Sequence, residues 1–198
     1  QYSPTSPRGL KTKTTPFGSV DAPFNPLQLA LGAGATFVAR TMDVRPRHLK
    51  SVMRAAAEHK GAAFVEVWQN CVIFNDGCFK GWTEKAVRDE LTIDIEAGKP
   101  MVYGKDQDKG LKMEGCSVKI VGADEASIWD PTSDCPTAAF ALTQLDRNPE
   151  MPRPMGVFRR VSAPTLDDLV HEQVTSVTGT RGIGHLKDLI YTSDCWEV

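Results

Sequence analysis

The sequence lacks long apolar runs and a marked excess of charge of either sign. No stretch of eighteen apolar residues is present, so we expect no helix that spans a membrane. The formal net charge of -2 leaves no basic surplus of the kind that binds nucleic acid or an anionic membrane. No charged segment followed by an apolar stretch opens the chain, so we expect no export signal and a cytoplasmic protein.

Cysteine is sparse, odd in number and widely spaced. No pair has the C-x-x-C spacing that is typical of a zinc or redox site. Without an export signal a disulfide framework is not expected either. The general interpretation is therefore a set of reduced thiols, several of them buried, at Cys71, Cys78, Cys116, Cys135 and Cys195.

Residues 1–25 are rich in Ser, Thr, Pro, Gly and Lys, a composition that favours turns and loops. A loop of this length inside a compact domain is uncommon and is usually functional, whereas at a chain end the same composition is typical of disorder. The chain begins with Gln1 rather than Met, so we expect a trimmed or fragmentary chain.

An α/β pattern follows this loop. Asn25 is a good cap for a short helix, and a buried strand is predicted at 36–40. Apolar residues at helical spacing predict a second helix within 43–61, followed by another buried strand at 62–68. Helix, strand, helix and strand with short connections predict a parallel sheet covered by helices on both faces, in three layers.

The pattern changes in the second half of the chain. Short strands separated by charged turns predict a small antiparallel appendage, so we divide the chain into domains at 1–98 and 99–198. The predicted strands are at 102–104, 110–113, 118–121 and 156–161, and the predicted helices are at 83–90, 137–145 and 166–177.

Cys71 is the strongest candidate for chemistry, because it directly follows a predicted buried strand in the segment VEVWQNCVIFN. Ligands of open α/β sheets collect just beyond the carboxyl ends of strands. A thiolate there is suited to bind a metal or an iron–sulfur cluster, although a cluster needs about four thiolates. The alternative is a buried thiol with no ligand. We expect the four histidines, His48, His59, His171 and His185, to be solvated, and no catalytic base can be named.

Three stretches together resemble one family. The first is QYSPTS followed by TKTTPFG, which is similar to a G-Q-x-S-P-T segment. The second, FVAR…HLK…AAFVEVWQNCVIFN, resembles the motif V-x-x-x-x-P-C-x-x-F-N, with Asn70 where the motif has proline. The third is the pair KPMVYGKD and PRPMGVFR. On these residues the chain resembles the C-terminal half of the thiamine-binding β subunit of the 2-oxoacid:ferredoxin oxidoreductases, most closely the 2-oxoglutarate type.

The resemblance implies a thiamine diphosphate-binding fold of three layers with a C-terminal extension. It also implies a coenzyme A-dependent oxidative decarboxylation of a 2-oxoacid, in which electrons pass through a [4Fe–4S] cluster to ferredoxin. The cofactors would be thiamine diphosphate with Mg²⁺ and the cluster, and the partners would be an α subunit and ferredoxin. Cys71 carries over as a cluster ligand, whereas Gln1, Ser3 and Thr5 carry over as residues that border the cofactor pocket.

The family's G-D-G-D motif and its other cluster cysteines are missing, and we expect them upstream of Gln1. The chain by itself is therefore not expected to be active. The C-terminal segment around Trp196 is a candidate contact for the α subunit. Two other classes remain open: a fragment of a thiamine enzyme without a cluster, of the transketolase or acetolactate synthase type, and an assembly module of the same fold without chemistry.

Overall fold

The computed structural model describes residues 2–192, and it divides the chain into two units after Ala163. The helices are α1 Pro26–Gly32, α2 Pro46–Ala57, α3 Lys80–Thr83, α4 Lys85–Leu91, α5 Thr137–Gln144, α6 Leu166–Arg181 and α7 Leu186–Ile190. The strands are β1 Phe37–Met42, β2 Ala63–Trp68, β3 Thr92–Ile95, β4 Val102–Tyr103, β5 Lys109–Glu114, β6 Ser117–Gly122 and β7 Arg153–Arg160.

The first helix begins as its sequence predicts. The Asn25 side chain accepts hydrogen bonds from the backbone N–H groups of Leu27 and Gln28, and Pro26 occupies the first position of α1. These contacts satisfy backbone donors that a helix leaves without partners at its N-terminus. The second helix, α2, also begins at a proline, Pro46. The long segment before α1 contains no helix or strand from residue 2 onward, as predicted.

The main sheet has four strands in the order β2-β1-β7-β3. Strands β1 and β2 are parallel and in register from Phe37 opposite Ala63 to Met42 opposite Trp68, which confirms the predicted pairing. Strand β7 runs antiparallel to β1 and parallel to β3. The predicted α/β class is therefore confirmed, although the sheet is mixed rather than wholly parallel.

Helices cover both faces of this sheet. Phe37 and Ala39 of β1 pack on one face with Val52 of α2. The intervening Val38 points to the opposite face and joins the larger core, to which α1 and α5 contribute. Alternate residues of one strand thus enter two different cores, and this explains why all six residues of β1 are buried. The arrangement has the three predicted layers.

A second sheet of three antiparallel strands, in the order β4-β5-β6, confirms the predicted appendage. Strand β7, which follows it, lies in the main sheet instead. The division at 98/99 stays a prediction. The helix predicted at 83–90 was placed wrongly at its start, because Thr83 ends α3 and α4 begins at Lys85.

The second unit begins at Pro164 and contains α6 and α7. Thr165 and Asp168 form a capping box at the start of α6, in which each side chain bonds the other residue's backbone N–H. Gly182, with φ of 77°, ends the helix. Between residues 2 and 192 no helix has both the length and the apolar character that crossing a membrane requires.

Candidate functional site at the carboxyl end of β2

Residues 69–78 form a loop that leaves the carboxyl end of β2 and carries Cys71. We call it the Cys71 loop. The backbone N–H of Asp43, just past the end of β1, donates to the carbonyl of Trp68 at 3.0 Å. The neighbouring parallel strands therefore end at the same edge of the sheet, where ligands of α/β proteins bind. The structure thus places Cys71 where the sequence predicted it.

Aromatic packing closes the base of the loop. The Trp68 ring, only 7% exposed, stacks on Phe79 with ring centroids 4.9 Å apart and an angle of 11° between the planes. Trp82 packs against Trp68 at 5.7 Å with tilted rings. Trp68 precedes the loop and Phe79 follows it, so the two ends of the loop are fixed against each other.

Hydrogen bonds within the loop hold its upper part. The amide nitrogen of the Asn70 side chain donates to Asp76 Oδ1 at 2.8 Å, and its Oδ1 accepts from the Gly77 backbone N–H at 2.8 Å. The Asn75 backbone N–H donates to the Cys71 carbonyl at 3.0 Å. Gly77 has φ of 76°, a left-handed conformation that favours glycine, so this turn depends on that residue.

The Cys71 thiol is exposed and its environment favours the thiolate. Hydrogen bonding from the backbone of Phe74, and then of Ile73, lowers the pKa of Cys71 below its ordinary value, against a small opposing effect of burial. Backbone N–H groups stabilise the charged form of a side chain that accepts from them. In contrast, burial raises the pKa of Cys78, at the other end of the loop. The thiolate is the form that binds metal, and it is favoured at Cys71 and disfavoured at Cys78.

The expectation of several buried cysteines was wrong for the described residues. Cys71, Cys116 and Cys135 are exposed and Cys78 is half-buried, whereas Cys195 lies outside the described residues. The Cys135 sulfur lies 3.1 Å from the hydroxyl of Thr137, and this hydrogen bond lowers the pKa of Cys135.

Cys71 fits one position of an iron–sulfur cluster, because it offers an exposed sulfur with backbone donors around it. Such clusters are held by thiolates, and hydrogen bonds to sulfur help to set their potential. Within residues 2–192 no group of three or more Cys, His, Asp or Glu side chains is placed to hold a metal ion. The described residues therefore do not supply a complete set of cluster ligands by themselves.

The N-terminal segment brings three hydroxyl groups together. The Ser3 hydroxyl lies 3.2 Å from that of Thr5 and 3.1 Å from that of Ser6. Ser3 and Thr5 are exposed, and hydroxyls of this kind are suited to donate to phosphate oxygens. They carry no charge, so they fit the border of a diphosphate pocket rather than its anchor. Gln1, the third predicted residue, lies outside the described residues.

A buried cation lies beneath the loop and was not recognised from the sequence. The Arg40 guanidinium is 2% exposed, bonds Glu66 through Nε at 2.5 Å, and bonds both oxygens of Asp146 at 2.9 and 2.6 Å. It also lies 4.9 Å from the ring centroid of Trp68. Burial acts to lower the pKa of Arg40, but hydrogen bonds and charge from Asp146 and Glu66 together raise it above its usual value.

A second arginine supports the same aromatic group. Arg153 Nη1 donates to the carbonyls of Leu145, Asn148 and Met151, and its guanidinium lies 5.4 Å from the Trp82 ring centroid. Burial lowers the pKa of Arg153. Both tryptophan rings at the base of the Cys71 loop are therefore in contact with a buried cation.

Two histidines are less solvated than predicted. His48 Nδ1 lies 2.8 Å from the Thr41 hydroxyl, and His59 Nε2 lies 2.8 Å from the Thr36 hydroxyl. Burial lowers the pKa of both histidines below the ordinary value. Their partners lie in or beside β1, which ties these side chains to the main sheet. A lone histidine on a polar helix gave no signal of this.

Comparison with known proteins finds similarity to thiamine pyrophosphate enzymes and to subunits of 2-oxoacid oxidoreductases. The family described as "Thiamine pyrophosphate enzyme, C-terminal TPP binding domain" matches residues 1–67. The chain is 41% identical to 2-oxoglutarate oxidoreductase subunit KorB of Mycobacterium tuberculosis, over all of this chain and 55% of the relative. It is also 45% identical, over 38% of its length and 24% of the relative, to the β subunit of 2-oxoacid:ferredoxin oxidoreductase 1 of Aeropyrum pernix.

A solved structure agrees with these relatives. The 2-oxoglutarate:ferredoxin oxidoreductase of Magnetococcus marinus, with 2-oxoglutarate, coenzyme A and succinyl-CoA bound, superposes with a TM-score of 0.60 and 26% identity. The match covers 97% of this chain and 52% of that one. The chain thus spans about half the length of these two relatives, each of which matches nearly all of it. It belongs to the β subunits of the 2-oxoacid:ferredoxin oxidoreductase family.

Proposed function

We propose that this chain is part of a β subunit that works with an α subunit to decarboxylate 2-oxoglutarate oxidatively with coenzyme A, and that ferredoxin accepts the electrons. The relatives named for 2-oxoglutarate and the solved structure with 2-oxoglutarate and succinyl-CoA bound support this substrate. The single observation that carries the proposal is the exposed Cys71 thiol, with its lowered pKa, at the carboxyl end of β2.

When bound, thiamine diphosphate supplies the stabilisation of the carbanion and a [4Fe–4S] cluster supplies one-electron transfer. We assign Cys71 as one thiolate ligand of that cluster, with the remaining ligands coming from another part of the assembled protein. The backbone N–H groups of Ile73 and Phe74 favour the thiolate that binds iron. Ser3 and Thr5, together with Gln1, border the diphosphate pocket, and no residue of this chain is assigned as a base.

The apolar tip of the Cys71 loop supports an assembled enzyme. Val72 and Ile73, next to the thiol, are 73% and 80% exposed. Adjacent exposed apolar side chains of this kind mark surfaces that another protein part covers. A dry, covered environment around a cluster also affects its potential. We therefore place the contact between this loop and the rest of the enzyme at Val72 and Ile73. The C-terminal contact that we expect around Trp196 lies outside the described residues.

Replacing Cys71 in the complete enzyme tests the assignment. Cys71→Ser should lower bound iron and ferredoxin reduction, because a cluster thiolate is bonded directly to iron. The matched variants Cys78→Ser, Cys116→Ser, Cys135→Ser and Cys195→Ser should keep both. Iron analysis and the low-temperature spin-resonance spectrum of the reduced enzyme give the measurement.

The same experiment separates the other classes. A complete protein that turns over a substrate with thiamine diphosphate but holds no iron would be a thiamine enzyme of another type. A complete protein with neither turnover nor iron would be an assembly module. Normal iron in Cys71→Ser would remove the assignment of this residue. The purified 198-residue chain should not decarboxylate 2-oxoglutarate, because the G-D-G-D motif through which the family contacts magnesium and diphosphate does not occur in this sequence.

A further inference from the structure

We infer that Asn70 is a positioning residue for Cys71: its side chain closes the Cys71 loop and holds the thiol in the geometry in which it binds the cluster. The inference rests on the proposed function, since it concerns the same thiol. It starts from the one position at which the segment departs from the motif that it resembles, where asparagine stands in place of proline.

The two residues restrict the backbone by different means. Proline fixes its own φ angle covalently and needs no partner. Asparagine leaves φ free, so a fixed loop requires hydrogen bonds. The Asn70 side chain makes two such bonds across the loop, donating to Asp76 Oδ1 and accepting from the Gly77 N–H, both at 2.8 Å. These bonds join the residue before Cys71 to the far side of the loop.

The bonds act on an exposed part of the molecule. Asn70 and Cys71 are both exposed, and so are Val72 and Ile73. Within this chain, side-chain packing therefore does little to fix the tip of the loop, in contrast to its base at Trp68. With Asn70 in place, the Asn75 N–H bond to the Cys71 carbonyl closes the turn around the thiol. Hydrogen bonds are thus the means by which the described structure fixes the sulfur.

Three variants of the β subunit in the complete enzyme test this role. Asn70→Ala removes both bonds, Asp76→Ala removes one, and Asn70→Pro restores covalent restriction without either bond. We choose proline because Asn70 does not have the positive φ angle that proline cannot adopt, and because Gln69 directly follows a strand, where the extended backbone favoured before a proline is expected. The matched control is Asn148→Ala, which removes a comparable side-chain bond, to the Glu150 N–H, from another loop.

The first measurement is the rate of iron loss to a chelator. Removing groups that orient a metal ligand typically weakens metal binding about 10- to 100-fold. We expect iron loss to be about tenfold faster in Asn70→Ala, intermediate in Asp76→Ala, and unchanged in Asn70→Pro and Asn148→Ala. The spin-resonance spectrum of the reduced cluster should broaden or shift in Asn70→Ala and should recover in Asn70→Pro. Recovery with proline distinguishes positioning from a general loss of folding.

The second measurement does not require the cluster. Amide hydrogen exchange in the peptide that covers residues 69–79 should be at least about tenfold faster in Asn70→Ala, which corresponds to about 1.4 kcal/mol of opening free energy. The protection of β1 and β2 should be unchanged, which shows that the fold is intact.

The outcomes separate this inference from the proposed function. If Cys71→Ser loses the cluster but Asn70→Ala keeps wild-type iron retention, spectrum and exchange, the role of Asn70 is overturned and the function stands. If proline fails to restore iron retention, restriction of the loop is not what Asn70 contributes, and the inference is likewise overturned. If the wild-type enzyme holds no iron, the proposed function fails and the positioning role fails with it.

Discussion

β1 and the Cys71 loop lie close together in the molecule and differ in nearly every physical respect. All six residues of β1 are buried, and its Arg40 holds two carboxylates beneath Trp68. The loop that begins directly after Trp68 is largely exposed and is held by hydrogen bonds between polar groups. The difference teaches that the residues that stabilise the fold end within a few positions of the residue proposed to bind the cluster. Substitutions in the two regions should therefore have different effects.

The largest expected loss of stability comes from the buried cation. Arg40→Met leaves Glu66 without its cation and leaves Asp146 with only Arg153, whose Nε lies 4.0 Å from Asp146 Oδ1. Breaking a buried ion pair costs about 3–5 kcal/mol, and because these carboxylates are 18% and 22% exposed we expect about 3 kcal/mol. Denaturant unfolding of the chain gives the measurement. A loss below about 1 kcal/mol would place this cluster among ordinary surface ion pairs and would remove the contrast with the loop.

A smaller loss of stability is expected from a substitution in β7 at the point where it pairs with β3. Gly156 has φ of 123°, and a Cβ atom there would collide with the Ile95 carbonyl oxygen. Gly156→Ala should therefore lower the free energy of unfolding by about 1–3 kcal/mol, as overpacking does. Gly115→Ala is the matched control, because Gly115 also has positive φ but has open space around it. Equal losses for the two variants would show that backbone conformation, not contact with β3, decides the effect.

A pH-dependent effect should come from His48. Its folded pKa is lowered by burial, so the unfolded chain binds more protons at mildly acid pH. Stability should therefore be complete above the ordinary histidine pKa of about 6.5 and should fall as the pH drops below it. His48→Gln should flatten this slope in unfolding measurements between about pH 5 and 7.5, whereas His171→Gln, on the exposed surface of α6, is the control. An unchanged slope in His48→Gln would assign the effect to other groups.

The smallest effect should come from an exposed ion pair on the second sheet. Lys119 pairs with Glu114 across β5 and β6, and both side chains are well exposed. Lys119→Met should change the free energy of unfolding by about 0–1 kcal/mol, since solvent screens such pairs. The difference between the losses of unfolding free energy in Arg40→Met and Lys119→Met, measured under the same conditions, shows how much burial adds to the stabilisation by an ion pair. Losses of similar size would contradict the comparison.

The local elements of the fold were predictable because each has a strong local signal. The cap at Asn25, the apolar runs of β1 and β2, and the charged turn between β4 and β5 all depend on residues close in sequence. The antiparallel entry of β7 between β1 and β3 was not predictable, since no neighbouring residue specifies it.

The site was predictable only in part, for the same reason. The position of Cys71 just past a strand end was predicted because a strand end and a motif coincide in one short segment, and its role as a ligand stays a proposal. The cation beneath it was missed because Arg40, Glu66 and Asp146 are far apart in sequence, and each by itself is an ordinary charged residue. The two hydrogen bonds of the Asn70 side chain, to Asp76 and to Gly77, were missed as well, because such bonds leave no periodic pattern in the sequence.

The position of β7 also determines how long one edge of β1 stays unpaired during synthesis. Its partner β1 is translated roughly a hundred residues earlier and, at about 5–20 residues per second, must wait on the order of 10 s for its second neighbour. During that interval one edge of β1, lined by residues that are all buried in the finished fold, is open to other strands. The nascent chain is therefore expected to need protection by chaperones until Arg160 has left the ribosome.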